Sequence, residues 1–142
     1  MPQKLKFTTM DKDQLKQELL KASNGLLMMS ETDEAFEFYF HEKPDEPFTE
    51  ELVVEWDGKP AGTSVQVLEL EDFLHRMKNL HPDADQTQKQ NAERFKQLEA
   101  KLKELLKGVK AYKISEISMP VYLLGETDSG DYAGLKTLVV ET

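Results

Sequence analysis

No cysteine occurs among the 142 residues. That absence excludes a disulfide framework, a thiolate zinc site, a Cys-ligated iron–sulfur cluster and a cysteine nucleophile. No run approaches the ~18 consecutive apolar residues of a membrane-spanning helix. The first ten residues carry charge without an apolar stretch after them, so no secretory signal is expected and the expected compartment is the cytoplasm. Bases are scarce beside acids: 18 Lys and Arg face 27 Asp and Glu, a net charge of −9. Nucleic-acid affinity comes mostly from Lys and Arg neutralising phosphates, so direct nucleic-acid binding is disfavoured. There is also no low-complexity run, no fixed-period repeat and no linker long enough to divide the chain.

What is present suits one domain spanning residues 1–142. The apolar share of 39% supports a core, and a chain of this length buries roughly two-thirds of the surface its unfolded form exposes. The charge is unevenly placed. Residues 30–60 hold eleven acids, opposed only by Lys43 and Lys59, and the rest of the chain balances to zero. Such a stretch is either a solvated surface or a field that steers a basic partner, and composition alone does not choose between them.

The spacing of Leu15, Leu19 and Ala22 predicts a helix over residues 11–23, stopped by Asn24-Gly25. A short apolar run, 26–29, leads into a polar turn at 30–34. Phe36, Phe38 and Phe40 then alternate with polar neighbours, the period-2 signature of a strand ended by Pro44 and Pro47. Residues 52–56 and 64–68 read as strands, separated by a turn at Asp57-Gly58. Leu70, Phe73, Leu74 and Met77 predict a short helix. Asp85, three residues before Gln88, marks the start of a long helix with a stripe at Phe95, Leu98, Leu102, Leu105, Leu106 and Val109. Residues 112–119 read as a strand interrupted by Pro120, followed by an apolar run at 121–124, a turn at 125–131 and a last strand at 135–140. Helices and strands in mixed order predict an α+β sandwich, a mostly antiparallel sheet covered by helices.

Little catalytic chemistry is visible. There is no Gly-x-Ser-x-Gly elbow, and residues 58–63 lack the Gly-Lys-Ser/Thr order of a phosphate loop. Residues 128–131 supply too few oxygen ligands for a calcium loop. His41, His75 and His81 sit on separate elements without metal-ligand spacing. Glu31 and Asp33 are conceivable as an acid and base, but a solvated loop explains them better. Met28-Met29 and the phenylalanine stripe read as core filler, and Trp56 as half buried. From these residues alone the chain is a soluble, acidic, non-enzymatic domain without a cofactor.

Two stretches add more. Residues 23–31, Ser-Asn-Gly-Leu-Leu-Met-Met-Ser-Glu, resemble the N-terminal signature of the nuclease A inhibitor family. Residues 121–127, Val-Tyr-Leu-Leu-Gly-Glu-Thr, followed by Gly130, Ala133-Gly134 and Val139-Val140-Glu141-Thr142, resemble its ending. The resemblance implies an α-β-α sandwich that binds and blocks a sugar-non-specific DNA/RNA nuclease of the ββα-metal type. It also implies that Glu31 and the C-terminal Thr142 reach that nuclease's metal centre, while the inhibitor holds no metal of its own. A monomer in a 1:1 complex is the expected assembly. The family's loop between the short and long helices carries a tryptophan that touches the nuclease. Here that loop reads His81-Pro82-Asp83-Ala84-Asp85 and the only tryptophan is Trp56, so His81 and Asp83 are the loop's candidates. The alternative is an acidic binding module of the same fold with a different basic partner.

Overall fold

The computed structural model describes residues 11–140. The first helix, α1 (Lys12–Ser23), opens with a reciprocal cap: the Asp11 carboxylate accepts from the Gln14 N–H while the Gln14 side chain accepts from the Asp11 N–H. It ends at Asn24, and Gly25 takes the left-handed turn at φ 78°. Two short strands, β1 (Leu27–Met29) and β2 (Asp33–Ala35), form a hairpin where the sequence suggested only a polar turn. β3 (Glu37–His41) follows.

The next segment departs from expectation. Residues 50–56 form a helix, α2 (Glu50–Trp56), not a strand. Leu52, Val53 and Val54 are consecutive and all buried, which alternation in a strand exposed on one face would not allow. Thr49 stands at its N-cap, and Glu50 and Glu51 lie in the first turn, where the helix dipole favours negative charge. β4 (Val65–Glu69) comes next. The expected short helix is two single turns, α3 (Leu70–Phe73) and α4 (His75–Lys78), joined at Leu74.

The long helix, α5 (Gln86–Leu105), carries the anticipated reciprocal cap between Asp85 and Gln88. It stops earlier than its apolar stripe suggested, because Leu106 is already extended and Val109 belongs to β5 (Lys107–Ile114). β6 (Ser118–Glu126) and β7 (Tyr132–Val140) complete the chain. The expected 112–119 strand is thus two strands folded about a turn at 115–117. Pro120 does not interrupt β6. It lies past the last β5–β6 pair, Lys113↔Val121, where the strand has only β7 beside it and can spare a donor.

The sheet is five-stranded and antiparallel, in the order β3-β7-β6-β5-β4. Alternation along its strands sorts the core into two layers. Val109, Ala111, Val121, Leu123, Ala133 and Leu135 pack with Leu15 and Leu19 of α1 and Phe95, Leu98 and Leu102 of α5. Tyr112, Ile114, Tyr122 and Leu124 face the other way, onto Val53 and Val54 of α2. The expected α+β sandwich with a helix-covered antiparallel sheet is therefore present, and the misread segment supplies one of its helical faces. Gly134 permits a close approach of β7 to the β6 backbone. A Cβ built there would lie 1.7 Å from the Leu123 carbonyl oxygen.

A candidate protein-binding edge around Glu31

Glu31 occupies the turn of the β1–β2 hairpin and is exposed. Two hydrogen bonds close that turn: the Ser30 N–H and hydroxyl donate to the Thr32 carbonyl, at 2.9 and 3.2 Å. The hairpin then docks on the end of β7. The Glu31 N–H donates to the Val140 carbonyl at 3.0 Å, and the Val140 N–H donates to the Ser30 Oγ at 2.9 Å. Further along, the Thr137 hydroxyl donates to the Ala35 carbonyl at 3.0 Å. Serine at position 30 is thus both donor and acceptor, a double role that an aliphatic residue does not offer. Thr142 lies outside the described residues. Val140, two positions before it, is the last residue described.

The other side of the hairpin meets the helical layer. Arg76 of α4 donates to the Met29 carbonyl at 2.5 Å. Between β1 and α4–α5 runs a groove of about 270 Å³, with Leu27, Met29 and Leu80 on its walls. Alternation buries Met28 and leaves Leu27 and Met29 40% and 46% exposed, so only the first of the two methionines is core.

His81 and Asp83 follow Leu80 in the loop before α5. They bond to each other, not to the hairpin: the Asp83 N–H donates to His81 Nδ1 at 3.2 Å, and their side chains stand 3.5 Å apart. Both are strongly exposed, 76% and 91%. Neither lines the groove; Leu80, just before them in the chain, does. Trp56 is far away. Its indole stacks on His41 at 3.9 Å, and His41 pairs with Tyr132 at the opposite end of β7 from Val140. Eight residues of extended strand separate those ends by ~27 Å.

The acidic stretch is divided by the same strand. Glu31, Asp33 and Glu34 lie at the Val140 end, while Glu42, Asp45 and Glu46 follow His41 at the Tyr132 end. Asp57 faces neither. Its carboxylate is 3% exposed and accepts hydrogen bonds from Lys59, at 2.8 Å, and from the Tyr122 hydroxyl, with Lys136 3.5 Å away. Burial alone raises the Asp57 carboxyl, but the hydrogen bonds from Lys59 and Tyr122 and the charges of Lys59 and Lys136 outweigh it and hold it below the ordinary carboxylate value. Burial and the nearby Asp57 charge push the Tyr39 phenol up to about 12.

Among the described residues no three His, Asp or Glu side chains are grouped to hold a metal ion. No described helix is long and apolar enough to cross a membrane. What the Glu31 edge offers is a rigidly held turn with an anion at its tip, beside a partly apolar groove. The groove, the Arg76 brace and the Val140 bonds escaped sequence reasoning. The unbroken apolar run at residues 26–29 gave no sign of the groove, because alternation appears only once β1 is formed. Compared with known proteins, residues 13–142 match the model of a family described as nuclease A inhibitor-like protein. No curated protein matches the chain.

Proposed function

Because the chain belongs to the nuclease A inhibitor-like family, we propose that it binds a sugar-non-specific DNA/RNA nuclease of the ββα-metal type and blocks its active site. Glu31 and the Thr142 α-carboxylate act as anions in place of scissile-phosphate charge. The observation that carries this reading is the pair of hydrogen bonds joining the Glu31 turn to Val140. They tie one anion to within two residues of the other, on backbone that strand pairing holds in place. A nuclease of that type holds Mg²⁺, a hard cation that accepts carboxylate oxygens directly or through water. Its phosphate-clamping Arg or Lys side chains pair with carboxylates as readily as with phosphate. Neither anion contains a bond that the nuclease cleaves. His81 and Asp83 border the contact on the groove side. The complex is 1:1 with a monomeric inhibitor.

The test is a titration of the untagged chain against a purified ββα-metal nuclease, with plasmid cleavage as the readout. Glu31→Ala and deletion of Thr142 each weaken inhibition by at least ~2 kcal/mol, the scale of an interface hot spot. Undiminished inhibition by both variants overturns the mechanism. A second reading, an acidic module of the same fold with another basic partner, draws support from the loop at 81–85, which has no aromatic anchor. Failure of the wild-type chain to slow such a nuclease favours it.

A further inference from the structure

Six large apolar side chains are exposed among the described residues, and four of them gather at one end of the molecule. Leu27, Met29 and Leu80 share the groove beside the Glu31 hairpin. The fourth, Ile117, is 78% exposed at the tip of the β5–β6 turn. It immediately precedes Ser118, which pairs with Val140. On its other side Val140 receives Glu31. The sheet end therefore reads, from one flank to the other, Ile117, Val140, Glu31, Met29, Leu80. With strands ~4.8 Å apart, two strand spacings put the backbones of Ile117 and Glu31 on the order of 10 Å from each other.

Single exposed apolar residues are ordinary on a protein surface, but a cluster astride a charged turn is not. Stable complexes cover about 800 Å² on each partner, more than one glutamate and a chain end present. Whatever grips Glu31 must also cover its two flanks. Resting on the nuclease-inhibitor reading above, we propose that Ile117 on one flank and Met29 with Leu80 on the other are apolar anchors of the interface. They seat on uncharged surface bordering the nuclease's metal-holding cleft. The occupant is the same nuclease that Glu31 meets, because the strip is continuous with Glu31 on both sides.

The experiment compares Ile117→Ser, Met29→Ser and Val67→Ser as inhibitors of a purified ββα-metal nuclease cutting plasmid in Mg²⁺. Val67 is the control, an exposed apolar residue on β4 at the far edge of the sheet. Ile117→Ser and Met29→Ser each raise the apparent inhibition constant about tenfold or more, while Val67→Ser matches the wild type. The loss persists at high salt, as an apolar contact requires and a charge effect does not. Thermal melts followed by circular dichroism confirm folding, and Ile117→Lys is a second variant at the exposed turn that must also weaken inhibition. Wild-type inhibition that Glu31→Ala impairs, but that Ile117→Ser, Ile117→Lys and Met29→Ser leave intact, removes the anchors and spares the nuclease reading. A wild-type chain that does not inhibit removes both.

Discussion

The Asp57 carboxylate shows how far a residue's environment changes its meaning. In the sequence it is one of eleven acids between positions 30 and 60. In the fold it is buried against Lys59, Lys136 and Tyr122, and contributes no outward field. Its pKa is lowered in the folded state, so its contribution to stability is present above the unfolded carboxyl pKa, ~3.9, and is lost as pH falls through the folded value. Asp57→Asn removes the charge that the Lys59 and Lys136 ammonium groups face and destabilises the fold at pH 7. Urea unfolding of both proteins at pH 7 and pH 3 checks this: the difference should shrink at pH 3, and an equal difference at both refutes the linkage. Glu31 was legible as a candidate only through its sequence neighbours, which resemble a family signature. Nothing in its own chemistry distinguishes it from Asp33 or Glu34. Met29 shows the converse, a methionine that reads as core yet stays 46% exposed, because a three-residue strand alternates.

At the level of elements, length separates what was legible from what was not. α5 runs for 20 residues, so its 3.6-residue apolar period and its cap both show in the sequence. Asp85→Ala removes the oxygen that accepts from the Gln88 N–H and costs about 1 kcal/mol in denaturant unfolding. Asp83→Ala, two residues earlier and 91% exposed, stays within ~0.5 kcal/mol of the wild type. Equal losses from the two would show that the cap contributes nothing special. α2 has only 7 residues, including two valines and a tryptophan that favour strands. Its helical state follows from what covers it: Val53 and Val54 pack on Tyr112, Ile114, Tyr122 and Leu124 across the sheet. Such a short run has too few residues to express a period, so tertiary packing overrides propensity.

For the whole molecule, the sheet sets where charge is presented. Glu31 is tied to the Val140 end of β7, while Glu42, Asp45 and Glu46 follow His41, which pairs at the Tyr132 end, so the acids of residues 30–60 are presented at more than one place. Steering toward a cationic cleft then depends on which acids stand beside the contact. Asp33→Asn with Glu34→Gln slows association with the nuclease at least ~3-fold at low salt. The charge-matched pair Asp45→Asn with Glu46→Gln slows it less. Stopped-flow association rates across ionic strength measure both, and equal slowing by the two pairs would mean that only net charge matters.

The sequence by itself determined what depends on near neighbours: the capped helices, the alternating strands, the exclusion of cysteine chemistry, and the signatures at both ends that mark the family. Tertiary structure alone decided which distant residues meet. Ser30 and Val140 stand 110 positions apart and share a hydrogen bond. Ile117 reaches the same edge through a third strand. Propensity and capping act over a few residues, and no local preference encodes a partner a hundred positions away. Those meetings are set when the sheet closes and both its faces must be buried at once, which fixes strand order and register together.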